Sequence, residues 1–272
     1  MLDPTREIKY FAKLGWIKVI DLNKPLRDAI KIMVENKIRH LPVVDGDKLV
    51  GFLSVKDAID VLDAYNAREL LREKVSKFMS DKVIAASPDE PLWEALKVMV
   101  EADVGALPIV DDDGKVLGVF TERDVVLTVA PEIDWGDVEA LKYATTNVKV
   151  IEPATTFSDV VEIMKEYNIR HLPVVQGKSA IGMVTALGVL DFALKNEKRL
   201  DKDLSAEPAR SFMEDFVYVP HTSKFVEALD ALARSPNDAV LLLGEDKEVK
   251  GIITDRDVLR LTAKEVERLL KP

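Results

Sequence analysis

The chain has 272 residues, enough for one large domain or two domains of ordinary size, each with a substantial core. Hydrophobic residues make up 47% and charged residues 32%, a composition typical of a soluble folded protein and unlike that of a disordered chain. The net charge of −10 disfavours nonspecific binding to nucleic acids or anionic membranes, and the absence of cysteine excludes disulfides, thiolate metal sites and cysteine nucleophiles.

The first ten residues carry four charges, whereas a signal peptide needs a basic stretch followed by an apolar one. The longest uncharged run, 179–190, has 12 residues and is too short to span a bilayer. We therefore expect a cytoplasmic protein that binds neither membranes nor nucleic acids. Gln176 is the only glutamine, and together with the many lysines and glutamates this bias is typical of proteins from thermophiles.

One pattern occurs four times along the chain. It consists of two short apolar stretches around a polar turn, followed by a polar junction, and lies at 38–59, 104–125, 169–190 and 237–258. A glycine after each turn holds the same place: Gly51, Gly118, Gly182 and Gly251, separated by 67, 64 and 69 residues. A period this regular predicts four structural repeats.

Each repeat has the predicted element order β-α-β-β-α. A short β-rich stretch opens it, at 16–22, 83–86, 148–151 and 216–219. A helix follows, with apolar residues at helical spacing, as in Leu26, Ala29, Ile30, Met33 and Val34 or Leu92, Ala95, Leu96, Met99 and Val100. Two strands then form a hairpin around the polar turn. A second helix begins at Ser54, Thr121, Thr185 or Thr254.

A single repeat of about 60 residues cannot cover both faces of its small sheet, so we expect the repeats to pair. The pattern is interrupted by Pro131, Trp135 and Gly136, which indicate a boundary. The sequence therefore predicts an α+β fold with two domains. The first, 1–130, has repeats at about 16–65 and 76–130, and the second, 131–272, has repeats at about 144–197 and 209–266.

These features together resemble CBS repeats, the domains named for cystathionine β-synthase. The matched features are IRHLPVV at 38–44 and 169–175, the glycine after the turn, the Ser/Thr-x-x-Asp junction and the element order. The resemblance covers nearly the whole chain and implies two tandem Bateman modules, an array similar to the γ subunit of AMP-activated protein kinase. It also implies AMP, ADP, ATP or S-adenosylmethionine as ligands rather than catalytic cofactors, and either a homodimer or association with an effector protein.

The junction motif allows two interpretations. It pairs Ser54 with Asp57, Thr121 with Asp124, Thr254 with Asp257 and, in the third repeat, Thr185 with Gly188. A hydroxyl followed three residues later by an acid is typical of a capping box, which satisfies free N–H groups of the first helical turn. The same helix start suits a phosphate, and the resemblance implies that the aspartate accepts ribose hydroxyls. The two interpretations are compatible.

The resemblance further implies that each cleft is completed by basic residues from the paired repeat. Two sites are complete by this criterion, and they consist of Thr121 and Asp124 with Arg39 and His40, and of Thr254 and Asp257 with Arg170 and His171. For the histidines the alternative to phosphate contact is a structural hydrogen bond. For the arginines the alternative is a surface salt bridge.

The other two helix starts differ from these. Ser54 and Asp57 would face a glycine and an alanine, which predicts a weak site or one for a neutral ligand such as adenosine. The third repeat has Gly188 in place of the acid and would face Asp238, so we predict that its site is empty.

Further candidates surround the two complete sites. Arg123 and Arg256 precede the key aspartates and either bind phosphate or belong to a solvated helix face. The purine needs an apolar slot, for which the β-rich stretches offer Val19, Ile20 and Leu22 at one site and Val150, Ile151 and Pro153 at the other.

Fingerprints of nucleotide hydrolysis, dinucleotide redox chemistry and zinc proteolysis are absent from the sequence, and its three scattered histidines predict no metal site. We therefore expect a non-catalytic regulatory protein that senses cellular energy through adenine nucleotides. The alternatives are an interaction module with vestigial pockets, a binder of S-adenosylmethionine or adenosine, and an enzyme acting on nucleotides.

Overall fold

The computed structural model describes residues 2–15 and 17–271. A short strand β1 (Lys13–Leu14) precedes the first repeat. The first repeat contains β2 (Ile20–Asp21), α1 (Leu26–Asn36), β3 (His40–Asp45), β4 (Lys48–Ser54), α2 (Val55–Leu62) and a one-turn helix α3 (Ala67–Leu70). The second contains α4 (Leu92–Glu101), β5 (Ala106–Val110), β6 (Val116–Thr121) and α5 (Glu122–Asp124), which continues as a π-helix over Val125–Val129.

The second half of the chain repeats this order. The third repeat contains α6 (Phe157–Glu166), β7 (His171–Gln176), β8 (Ser179–Thr185) and α7 (Ala186–Lys195). The fourth contains β9 (Tyr218–Pro220), α8 (Phe225–Arg234), β10 (Ala239–Leu243), β11 (Val249–Thr254) and α9 (Asp255–Leu270). The mixed α and β content and the four repeats confirm the predicted fold class.

The hairpin is confirmed in all four repeats, since β3 pairs antiparallel with β4, β5 with β6, β7 with β8 and β10 with β11. The β-rich stretch that opens each repeat is shorter than predicted. It pairs in parallel through β2 and β9 in the first and fourth repeats, and through single bridges at Ala86 and Ile151 in the other two. Prolines at or shortly after these residues limit the pairing on its C-terminal side, because proline has no N–H to donate to a sheet. Trp16, where the first stretch was predicted to begin, lies outside the described residues.

The predicted apolar faces of the first helices are largely confirmed. In α1, Leu26, Ala29, Ile30 and Met33 are buried, and α4 buries its four corresponding residues. The fifth predicted position differs, because Val34 is half-buried and Val100 is exposed. None of the helices in the described part of the chain is both long enough and apolar enough to cross a membrane.

A segment from outside each repeat pairs with the second strand of the hairpin, and we call it the crossing segment. The residue after the repeat glycine forms an antiparallel bridge with this segment in every case: Val119 with Lys13, Phe52 with Ser80, Ile252 with Thr145 and Met183 with Glu214. A 3-10 helix precedes each crossing residue, at Ile8–Tyr10, Val75–Lys77, Ala140–Lys142 and Ala209–Ser211. The crossing segments therefore extend each two-stranded hairpin on its outer side.

The repeat glycine is explained by this crossing. A Cβ at Gly51 would collide with the Met79 side chain, and one at Gly182 would lie 2.8 Å from the Met213 sulfur. At Gly118 a Cβ would collide with the Lys13 backbone. Because the neighbour at Gly118 is backbone, only a residue without a side chain lets the crossing segment approach so closely there.

The chain divides into two compact units, each built from repeats that are not adjacent in sequence. Unit 1 comprises Met1–Ile17, Ile84–Val148 and Phe216–Pro272 and contains the second and fourth repeats, while unit 2 comprises Lys18–Val83 and Lys149–Asp215 and contains the first and third. In unit 1, α4 and α5 pack against α9, and in unit 2, α1 and α2 pack against α7. Helix packing therefore defines these units, and the predicted grouping of adjacent repeats into two domains stays a prediction.

Candidate functional site

Three of the four junction motifs form complete capping boxes. Oδ2 of each aspartate accepts the backbone N–H and the hydroxyl of the Ser or Thr three residues earlier, at 2.7 and 2.7 Å for Asp57, 2.8 and 2.6 Å for Asp124, and 2.8 and 2.8 Å for Asp257. The cap hydroxyl in turn accepts the N–H of Asp57 at 3.4 Å and that of Asp124 at 3.2 Å. The capping interpretation is therefore confirmed for these repeats.

Capping uses only one oxygen of each carboxylate. Within residues 2–15 and 17–271, Oδ1 of Asp57, Asp124 and Asp257 has no hydrogen-bond partner. Asp124 is nevertheless buried, with 6% of its surface exposed. Each aspartate thus keeps an acceptor that a ligand hydroxyl could use while the cap stays intact.

Burial shapes the electrostatics of the two aspartates in unit 1. It raises the pKa of Asp124, while the Thr121 hydrogen bonds and the charges of Lys13 and Arg123 oppose that rise. Burial also raises the pKa of Asp257, the Thr254 bonds oppose it, and the nearby negative charge of Glu122 adds to it. Both carboxylates are therefore poorly solvated in the ionised form and would gain from a hydroxyl donor.

The third helix start is capped in a different way. The Thr185 hydroxyl accepts the Gly188 N–H at 2.9 Å, as the other caps do. It donates to Oε1 of Glu214, 3.2 Å away, rather than to an aspartate three residues later. Sequence reasoning missed Glu214, which belongs to the crossing segment that bridges Met183.

The predicted basic residues lie beside the helix starts of their own repeats. His40 is the cross-strand partner of Ser54, and His171 is the partner of Thr185. The backbone oxygens of Arg39 and Arg170 accept the first N–H groups of α2 and α7, at 2.9 Å in both cases. These residues belong to unit 2, whereas Thr121, Asp124, Thr254 and Asp257 belong to unit 1, and the predicted pairing of the two groups stays a prediction.

Arg123 is held in a network inside unit 1. Its guanidinium donates to the backbone oxygens of Leu232 at 2.9 Å and Ala233 at 2.6 Å, and it lies 3.4 Å from carboxylate oxygens of Asp238 and Asp255. It therefore does not lie on a solvated helix face, and its contact with a phosphate stays a prediction. Asp238, which was expected to repel phosphate, has a basic partner in this network.

Arg256 has the corresponding contacts on the other repeat of unit 1. Its Nε donates to Glu122 at 2.9 Å, and its Nη1 lies 3.4 Å from Asp103. Glu122 and Asp255, the first residues of α5 and α9, are both fully buried. The two arginines thus cross-link the helix starts of the second and fourth repeats, which favours a structural role for both.

The predicted purine residues differ in burial. Ile20 and Ile151 are each 4% exposed and belong to the core of unit 2, where Leu22 packs as well. Val19 and Val150 are exposed, and Pro153 is half-buried with its backbone oxygen accepting the Arg210 N–H. Contact of any of these residues with a purine stays a prediction.

A repeated triplet in the sequence marks the crossing residues that sequence reasoning missed. An aromatic residue and then Ala or Met precede each of them, as Phe11-Ala12-Lys13, Phe78-Met79-Ser80, Tyr143-Ala144-Thr145 and Phe212-Met213-Glu214. This triplet was a usable signal for four equivalent segments. Its relation to the hairpin glycines appears only when the chain is folded.

The chain matches known proteins along nearly its whole length. It is 27% identical over 259 residues to the uncharacterized protein MJ1225 of Methanocaldococcus jannaschii, covering 88% of this chain and 92% of the relative. It is 28% identical over 270 residues to an uncharacterized 33.4 kDa protein in the ribosomal RNA operon of Thermofilum pendens, covering 89% of this chain and 87% of the relative.

Solved structures give the same result. The crystal structure of MJ1225 superposes with a TM-score of 0.83 at 25% identity, covering 94% of this chain and 99% of that one. An uncharacterized conserved protein from Pyrococcus horikoshii shares the fold, with a TM-score of 0.61 at 20% identity, covering 94% of this chain and 99% of that one.

The family model of the CBS domain matches residues 17–64, 75–130, 136–195 and 209–264. These ranges contain all four hairpins and all four helix starts described above. The chain therefore belongs to the CBS domain family and carries four copies of the domain.

Proposed function

We propose that this protein is a non-catalytic regulatory protein that binds adenine nucleotides, with Asp124 and Asp257 as the ribose acceptors. The observation that carries the proposal is the state of these carboxylates. Each is desolvated, fixed by its cap through Oδ2, and left with Oδ1 as an acceptor toward which a ligand hydroxyl can donate. A vicinal diol supplies two such donors, and ribose is the diol that adenine nucleotides carry.

The relatives support this choice of ligand. MJ1225, which resembles this chain over nearly its full length, is described as a proposed archaeal homologue of γ-AMPK. AMP, ADP and ATP are therefore the first ligands to test, with S-adenosylmethionine and adenosine as alternatives that carry the same diol. Arg39, His40, Arg170 and His171 are the residues we propose for the phosphates.

Asp57 has the same cap geometry as the other two aspartates, and we propose a weaker site there, suited to a neutral ligand such as adenosine. Arg123 and Arg256 are not part of the proposed sites, because their guanidinium groups are engaged with backbone oxygens and buried acids. The proposal also includes an effector chain or a second copy as the partner that responds to the nucleotide.

Calorimetric titration of the full chain with AMP, ADP, ATP, adenosine and S-adenosylmethionine tests the proposal, with Asp124→Ala and Asp257→Ala as variants. Asp112→Ala, an exposed residue of a hairpin turn, is the matched control. We expect a bound adenylate that each site variant weakens and the control does not. If none of the ligands gives a binding signal, an interaction module with vestigial pockets explains the protein better. Turnover of a ligand would indicate an enzyme.

A further inference from the structure

The four crossing segments place four different side chains at one equivalent position, next to the residue that follows the hairpin glycine. The residue there is Ser80 in the repeat of Asp57, Lys13 in that of Asp124 and Thr145 in that of Asp257. Only the repeat whose helix start lacks the aspartate has an acid at this position, namely Glu214. The helix start that lacks a carboxylate at 188 is therefore the one to which the crossing segment brings a carboxylate, at 214.

The geometry shows that this carboxylate reaches the vacant position. The crossing segment is fixed to β8 by two backbone hydrogen bonds between Met183 and Glu214, of 2.9 and 2.7 Å. From there the Glu214 side chain extends to the Thr185 hydroxyl, which donates to its Oε1 at 3.2 Å. In the other three repeats the equivalent hydroxyl donates to Oδ2 of the aspartate.

Gly188 leaves room for the Glu214 carboxylate in this position. A Cβ at residue 188 would collide with Oε1 of Glu214 and lie 3.3 Å from its carboxyl carbon. The glutamate carboxylate thus fills the space into which an aspartate at 188 would project. Burial raises the pKa of this carboxyl, as it does for the aspartates of unit 1, although much of the Glu214 residue is exposed.

We infer that the Glu214 side chain occupies the third helix start. It holds the crossing segment in place and closes this helix start, one of the four, to a ligand diol. In the other repeats the acid belongs to the helix itself, three residues after the cap residue. In the third repeat the Glu214 side chain reaches the cap hydroxyl from the crossing segment instead. This role rests on the proposed function, since closing a site matters only where its equivalents bind a ligand.

A stability cycle tests the contact without any ligand. Gly188→Asp alone should lower the melting temperature by about 2 °C, because the new side chain displaces the Glu214 carboxylate from the Thr185 hydroxyl and sets two negative charges side by side. The exchange Gly188→Asp with Glu214→Ser recreates the residues of the first repeat, Asp57 and Ser80, and should recover most of that loss. Gly188→Asp with Glu214→Gln keeps the collision but removes the repulsion, so it should recover less. Glu166→Ser, an exposed acid of α6, is the control for loss of one charge.

Adenosine titration then tests the closing role, because adenosine carries the diol without a phosphate. The exchanged variant should bind one more equivalent of adenosine per chain than the wild type, and Glu214→Ser alone should bind the same number. Fewer equivalents for Glu214→Ser would show that Glu214 itself accepts the ligand, which overturns the inference. An exchanged variant that is stable yet gains no equivalent overturns it too, as does a Gly188→Asp chain as stable as the exchanged one.

The two failures can be told apart. If neither adenosine nor AMP binds the wild type or any variant, the proposed function fails and the closing role fails with it. If the wild type binds and the exchanged variant adds no site, only the role of Glu214 is wrong.

Discussion

The two units hold equivalent helix starts by opposite means. In unit 1 the first residues of α5 and α9 are the buried acids Glu122 and Asp255, and each pairs with an arginine of the other repeat. In unit 2 the first residues of α2 and α7 are Val55 and Ala186, which are 1% and 4% exposed and pack in the apolar core. The same fold therefore accepts either ion pairs or apolar contacts at this junction.

The difference extends to the residues that connect the first helix of each repeat to its hairpin. In unit 1, Asp103 and Asp238 lie in these connections and contact Arg256 and Arg123 respectively. In unit 2 the positions aligned with Asp103 are Lys37 and Asn168, and those aligned with Asp238 are Arg39 and Arg170, so none of them is an acid. The charged network of unit 1 is thus a combination of residues that the aligned positions of unit 2 lack, and four of its members directly precede in sequence the two aspartates that we propose as ribose acceptors.

Breaking this network should produce the largest loss of stability. Arg123→Met removes the partner of the fully buried Asp255 and the donor to two backbone oxygens, so the free energy of unfolding should fall by about 2–4 kcal/mol. The equivalent change in unit 2, Lys56→Met at an exposed position, should stay within about 0.5 kcal/mol. Urea unfolding of both variants measures the contrast, and equal losses would show that the network is not what distinguishes the units.

Removing the ligand acceptors should have the next largest effect, seen in binding. Asp124→Ala or Asp257→Ala should each weaken nucleotide binding by about 1.5–3 kcal/mol, because a hydrogen bond to a charged acceptor is lost. Asp57→Ala in unit 2 should change nucleotide binding less, since we propose a weaker site there. Calorimetry gives the affinities, and circular dichroism checks the fold, because a collapse of the fold in these variants would leave capping as the only role of the acids.

Removing a cap hydroxyl should cost about 1 kcal/mol of stability in either unit. Thr121→Ala and Ser54→Ala both delete a hydroxyl that donates to the aspartate and accepts its N–H. We expect similar decreases in the free energy of unfolding, measured by urea titration. A much larger loss at Thr121 would mean that the cap is coupled to the arginine network of unit 1, and would place that network within the site.

The sequence was sufficient to predict the parts of the fold that depend on local pattern. The period of the glycines predicted four repeats, and two short apolar stretches around a polar turn predicted each of the four hairpins. The pairing of Ser54 with Asp57 and of its equivalents followed from their spacing, because a capping box needs only four consecutive residues.

Features that depend on distant segments were not predicted. Arg123 is 132 residues from Asp255, and nothing in either local sequence indicates that the second and fourth repeats share a helix interface. Glu214 replaces the acid missing at Gly188 from 26 residues away, through a crossing segment whose register only the folded hairpin defines. The prediction of an empty third site rested on the absent aspartate and on the facing Asp238, and no motif within the repeat could have indicated the substitute acid.

The smallest expected effect is the pH dependence of stability at Asp124. Burial holds its pKa in the folded state above the ordinary value of 3.8, so the native chain binds this proton more tightly than the unfolded chain does. The contribution of this group to stability is therefore most favourable at low pH and declines as the pH rises from about 3.8 through the raised pKa. The hydrogen bonds from Thr121 oppose the effect of burial, and for that reason we rank this prediction last.

Asp124→Asn isolates the contribution, because the amide does not ionise and has nearly the same shape. The free energy of unfolding of the wild type, measured by urea titration between pH 4 and pH 7, should decline relative to that of Asp124→Asn as the pH rises. Asp112→Asn, in an exposed turn, should show no such trend relative to the wild type. A wild type that gains stability over Asp124→Asn with rising pH would mean that hydrogen bonds and the charges of Lys13 and Arg123 outweigh burial, and the aspartate would then be satisfied without a ligand.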